Sequence, residues 1–120
     1  MIAEMATNLK AARLLCYQAG HLKQAGDQRE VMETFVAKYF ASRAAMRAAI
    51  DAVQIHGANG CASEYPVQRY LRDAKVMEVI EGSNQIQQLL IAEYAFQERQ
   101  RIQAEDAGAA MIAETPWVDS

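Results

Sequence analysis

The stretch REVMETFVAKYFASRAAMRAAIDAVQIH, from Arg29 to His56, contains neither Gly nor Pro. Met32, Phe35, Val36, Tyr39, Phe40, Met46, Ala49, Ile50 and Val53 recur at the helical period, which predicts one unbroken helix of roughly seven turns. Helices of that length are the units of bundles. Val31, Val36 and Phe40 widen its apolar stripe beyond one face, and a helix apolar on several sides needs several neighbours.

Toward the N-terminus, Ile2, Met5, Leu9, Ala12, Cys16 and Ala19 form a helical stripe over about residues 2–25, closed by Gly26-Asp27. Toward the C-terminus, Gly57-Ala58-Asn59-Gly60 stops the long helix, because Gly and Asn tolerate a left-handed cap. Tyr65-Pro66 opens a short amphipathic helix over 66–76. Val79 to Asn84 is a break, and Ser83 or Asn84 caps a last helix to about residue 102, with Ile86, Leu89, Leu90, Ala92 and Phe96 facing inward. Ala107 to Ser120 has no period and reads as a loose tail. The expected fold is all-α, an up-and-down helical bundle of three long helices and one short, over 1–102, followed by an acidic tail over 103–120. Two partner helices hardly cover the long one, so the chain is expected to oligomerise or to dock on further polypeptide.

Composition narrows the function classes. The 120 residues include 12 Lys plus Arg, 15 Asp plus Glu and two Cys, for a net charge of −3. Glu105, Asp106, Glu114 and Asp119 put the acidic excess in the tail and leave a near-neutral body. Nucleic acid requires a strongly basic face, so it is excluded as a partner. The pairs Arg43 with Arg47 and Arg69 with Arg72 read as solvated helix faces. No apolar run reaches the roughly 20 residues of a membrane span, and Met1 leads into a Glu-bearing helix rather than a secretory signal. Cys16 and Cys61 build no disulfide scaffold and fit a reducing, intracellular, cytoplasmic setting. His21 and His56 lie far apart without ligands at metal spacing, so no metal site is expected.

One segment carries potential chemistry. Glu81 stands between apolar Val79-Ile80 and a Gly82-Ser83 pair that opens a helix. Apolar neighbours would favour its neutral form, whereas the helix start favours its anion, and a carboxylate between such influences can act as a general base. A plain helix-terminal Glu is the competing reading of the same residues.

Four linked motifs then occur in order: Gln54-Ile55-His56-Gly57, Glu64-Tyr65-Pro66-Val67-Gln68-Arg69, Arg72-Asp73-Ala74-Lys75, and Ile80-Glu81-Gly82-Ser83-Asn84-Gln85-Ile86-Gln87. Over about residues 4–97 the chain resembles the C-terminal helical domain of the acyl-CoA dehydrogenase family. Ala11 to Leu15 and Ala41-Ser42 fit the same pattern.

The resemblance implies FAD as cofactor and α,β-dehydrogenation of an acyl-CoA or acyl-carrier thioester. Glu81 matches the base that abstracts the α-proton, and its backbone N–H matches a donor to the thioester carbonyl. Gly82 matches a position of close substrate approach, and Ser83, Asn84 and Gln85 match a flavin-contacting run. Gln54, Gly57 and Ala58 match a region that meets the ADP half of a flavin held largely by a neighbouring subunit. Ala58, Cys61, Gln68, Ile80 and Ser83 depart from the family pattern and mark a divergent member. The family's N-terminal helical domain, its middle β-domain and the first helix of the bundle have no counterpart in these residues. The chain is therefore not expected to be active alone; a homo-oligomer or a complementary subunit carrying the missing domains is the expected partner, with an electron-transfer flavoprotein as the implied redox partner. The rival reading is a non-catalytic helical assembly module of the same descent.

Overall fold

The computed structural model describes residues 1–113, with side chains through residue 107. Its elements are α1 (Ile2–Ala25), α2 (Glu30–His56), a short 3-10 helix (Gly57–Cys61), α3 (Val67–Met77) and α4 (Asn84–Ala113). The described residues are all-α, as the period of the long stretch predicts, and they contain no strand.

The turns follow from local chemistry. Gly26 adopts φ 69°, and its N–H together with that of Asp27 closes the last carbonyls of α1. Asp27 accepts the Arg29 N–H at 2.9 Å and grips the Arg29 guanidinium at 2.7 Å, which fixes the entry to α2. Those bonds hold the Asp27 carboxyl down at about 2, with the side-chain hydrogen bond from Arg29 the largest cause and its backbone N–H the next. Gly57, at φ 57°, ends α2. Gly60 is buried, and a Cβ there would stand 2.5 Å from the Val53 carbonyl oxygen, so only Gly lets the 3-10 turn close against α2.

α2 is the spine. α1, α3, α4 and the 3-10 helix all pack on it, whereas α1 meets neither α3 nor α4 among the described residues. Asn84 approaches Ser42 near the start of α4, and Ile102 lies with Met32 toward its far end, so α4 runs antiparallel to α2. The seams are built from small side chains: Ala19, Ala37, Ala49 and Ala74 are buried along with Val67, and no large side chain is fully enclosed among the described residues. Full burial of one Leu, Ile or Phe is worth about 1.5–3 kcal/mol, and most of that gain is unrealised here.

Several sequence expectations are corrected. On α1, Ile2, Leu9 and Cys16 are exposed, and the inward row is Met5, Ala12, Leu15 and Ala19. On α4, only Leu90 of the expected inward set is half-buried; Ile86, Leu89, Ala92 and Phe96 face out. The inward row is Asn84, Gln87, Ile91 and Tyr94. The cause is polar: Asn84 and Gln87 are drawn in to satisfy the preceding loop, and this sets the rotation of the whole helix. Helix α4 also runs past residue 102 to Ala113. Ala104, Ala107, Ala109 and Ala110 favour helix without any apolar period, and Arg101 bridges Glu98 at 2.7 Å and Glu105 at 3.9 Å across the expected end. The rest of the expected tail, residues 114–120, lies outside the described residues.

Candidate active site

The break between α3 and α4 folds into a tight loop. Val79 and Ile80 donate backbone N–H to the Val76 carbonyl at 2.9 and 3.0 Å, continuing the α3 turn. The chain then reverses through Glu81 at φ 55° and Gly82 at φ 84°. Glu81 is the one non-Gly residue with positive φ among the described residues. That conformation costs an L-residue about 1–2 kcal/mol and persists only where the surroundings enforce it. The loop closes with the Asn84 N–H on the Glu78 carbonyl at 2.9 Å, and α4 begins. Ser83 Oγ accepts the Ile86 N–H at 3.4 Å, so Ser83 occupies the cap position.

The enforcement comes from α2. Lys38 Nζ donates to the Gly82 carbonyl at 2.6 Å and to Asn84 Oδ1 at 3.1 Å. Ser42 Oγ donates to the same Asn84 oxygen at 2.9 Å. From α4, Gln87 Nε2 reaches back to the Glu81 carbonyl at 3.4 Å, a long and weak bond. Gln87 is 4% exposed, and its Oε1 has no partner among the described residues. Gly82 fits beneath it because it has no side chain: a Cβ would sit 2.6 Å from Gln87 Nε2.

Glu81 itself is exposed, as are Val79 and Ile80. The expectation that those two residues bury the carboxylate is not met, because both are themselves exposed. The backbone N–H of Glu81 donates to no group among the described residues. Glu81 thus forms an exposed corner, with Gly82 half-buried behind it against Gln87.

The remaining predicted residues divide in two. Ser83 and Gln85 lie at that corner, half-buried and exposed respectively. Asn84 does not present its side-chain oxygen to a cofactor: it is buried, with Oδ1 and backbone N–H taken by its own chain. Gln54, Gly57 and Ala58 are exposed at the far end of α2. The rise of a helix puts Gln54 roughly 18 Å along α2 from Ser42, which anchors the loop. At Gly57 nothing lies within 4 Å of a notional Cβ, so the backbone there is open to close approach. These exposed backbone and amide groups, at two separated places, fit an extended dinucleotide only if other polypeptide supplies the rest of its cradle.

Sequence reasoning missed Lys38 and Gln87. The signal for Lys38 was a lone cation inside the apolar run Phe35 to Phe40, and for Gln87 a Gln on what became the inward row. Among the described residues no cluster of three His, Cys, Asp or Glu is close enough to hold a metal ion.

Comparison with known proteins gives the context. The family description "Acyl-CoA dehydrogenase, C-terminal domain" matches residues 1–96. An acyl-CoA dehydrogenase of Bacillus subtilis is 50% identical over 93 residues, which cover 78% of this chain and 24% of that protein. The solved butyryl-CoA dehydrogenase of Megasphaera elsdenii superposes with a TM-score of 0.74 at 39% identity, over 78% of this chain and 24% of that one. A chain from the structure of the electron transferring flavoprotein of Acidaminococcus fermentans gives a TM-score of 0.75 at 41% identity, over 79% of this chain and 25% of that one. This chain thus spans about a quarter of the length of the curated relatives it matches.

Proposed function

This chain belongs to the acyl-CoA dehydrogenase family through its C-terminal helical domain, and on that premise we propose that it supplies the proton-abstracting corner of an FAD-dependent acyl-thioester dehydrogenase. Glu81 in its left-handed turn is the observation that carries this reading. Such a conformation in an exposed carboxylate residue, held by buried polar groups, is costly unless the placement is used.

In this reading the Glu81 carboxylate takes the α-proton of the acyl thioester. Its backbone N–H donates to the thioester carbonyl, where negative charge develops as the proton leaves. Gly82 keeps the approach to that N–H free of side-chain atoms. Ser83 and Gln85 would hold the cofactor beside this corner, and Gln54, Gly57 and Ala58 would contact its other end if a neighbouring subunit supplied the rest of the cradle. FAD, when bound, supplies the acceptor for the hydride lost from the β-carbon. Val79 and Ile80 give the corner an apolar wall that helps exclude water once the remaining polypeptide covers it.

The substrate is an acyl-CoA or acyl-carrier thioester. The working unit includes the other domains, in the same polypeptide or a complementary subunit, and most simply a homo-oligomer. The apolar faces left open on α1 and α4 support that requirement, and an electron-transfer flavoprotein is the redox partner proposed by analogy. The free, exposed Cys16 and Cys61 suit a reducing cytoplasm. In the complete flavoprotein, Glu81→Gln should retain the flavin absorbance and lose roughly 100-fold or more of thioester oxidation. Retained turnover would refute the assignment and favour a structural module.

A further inference from the structure

Resting on the reading of Glu81 as base, we propose that Lys38 is a positioning residue whose ammonium clamps the Gly82 carbonyl and so holds the left-handed Glu81–Gly82 turn that presents the carboxylate. The turn requires outside support, because a non-Gly residue at positive φ relaxes to the ordinary regions when nothing prevents it. Of the bonds that reach Glu81 and Gly82, those from Gln87 Nε2 span 3.4 and 3.5 Å and are weak. The bond from Lys38 is 2.6 Å long and carries a full charge on its donor, which makes it the strongest restraint on the turn.

Its second bond explains why the restraint is directional. Lys38 Nζ also reaches Asn84 Oδ1 at 3.1 Å, and Ser42 fixes that oxygen from the next turn of α2. The ammonium is therefore tied to the first residue of α4 and to the loop at once. A shift of the Gly82 peptide plane would break the shorter bond and leave only the long contact from Gln87 Nε2 on that carbonyl. Among the described residues Lys38 makes no ion pair, so this half-buried charge is satisfied by neutral oxygens of the loop it holds. An apolar side chain would fill the same space beside the seam. The cation earns its place through the carbonyl it grips.

The test uses the complete flavoprotein with Lys38→Met, Lys38→Arg and Glu81→Gln in parallel. With kcat taken per bound flavin, Lys38→Met is expected to lose roughly 10- to 100-fold while KM stays within about threefold, and Lys38→Arg to recover most of the loss. Amide hydrogen exchange over residues 79–84 should quicken at least about tenfold in Lys38→Met, with α1 unchanged. A kcat per flavin within about threefold of the parent, or exchange that quickens uniformly across the helices, overturns the proposal. If Lys38→Met fails to retain flavin, Lys38→Gln is judged by the same two criteria. Glu81→Gln separates the failures: an active Glu81→Gln removes the base assignment and the clamp with it, whereas an inactive one beside a fully active Lys38→Met removes the clamp alone.

Discussion

Ser42 in the middle of α2 donates its hydroxyl to Asn84 Oδ1 at 2.9 Å, and both residues are buried. This bond joins the first residue of α4 to the spine and lies behind the turn that carries Glu81. Ser42→Ala should cost about 1 kcal/mol of stability, and Asn84→Ala about 1–3 kcal/mol because it removes the acceptor shared by Lys38 and Ser42. The double variant should cost less than the two losses added, since both remove one bond. Denaturant unfolding of the four proteins measures the coupling, and strict additivity would mean that the bond contributes nothing.

Two glycines are expected to reject even a methyl group. In Gly82→Ala the new Cβ meets Gln87 Nε2 at 2.6 Å in a backbone with φ 84°, and in Gly60→Ala it meets the Val53 carbonyl oxygen at 2.5 Å. Gln87 can swing aside, whereas the Val53 backbone cannot. Gly60→Ala should therefore lose about 1–3 kcal/mol as the 3-10 turn lifts from α2. Gly82→Ala should show a comparable loss from conformation and, in the complete flavoprotein, a further fall in kcat. Thermal unfolding beside kinetics reads both.

The α1–α2 turn should respond to acid. The Asp27 carboxyl is depressed from 3.8 to about 2 by Arg29, so in the folded chain it holds a proton less readily than when unfolded. The stabilisation is present above about 4 and disappears as pH falls from there through about 2. Asp27→Asn should remove that part of the acid sensitivity. Helical circular dichroism followed from pH 5 to pH 1.5 should show a smaller low-pH loss in the variant, and superimposable curves would contradict the attribution.

The outward face of α4 should be nearly silent for the stability of the chain alone. Leu89 is 72% exposed and Phe96 68% exposed, so little burial is lost in Leu89→Ser or Phe96→Ser. Each should change unfolding free energy by less than about 0.5 kcal/mol and reduce concentration-dependent association. Sedimentation velocity over a range of concentrations measures the second effect, and association that is unchanged by both substitutions would show that this face is not sticky in solution.

Much of the fold was legible because α2 repeats at 3.6 residues without interruption and Gly26, Gly57 and Pro66 mark its neighbours. The side of α4 that faces inward was not legible. Apolarity alone points to Ile86, Leu89 and Phe96, whereas Asn84 and Gln87 turn the helix to bond the loop, an interaction between residues far apart in sequence. The end of α4 was hidden for the opposite reason, since an Ala-rich stretch can be helical without periodicity. At the site, Glu81 could be singled out from its neighbours in sequence. Its left-handed conformation and its dependence on Lys38 arise from a contact across 44 positions, which no local pattern reveals.

The central claim, that Glu81 removes the α-proton, is tested most directly by solvent exchange at the α-carbon. A saturated acyl thioester is incubated anaerobically in deuterated water with the complete flavoprotein and with Glu81→Gln, and deuterium at the α-position is read by mass spectrometry. The account predicts time-dependent incorporation with the parent and at least about 100-fold slower incorporation with the variant at equal flavin content. Equal incorporation by both proteins would contradict it.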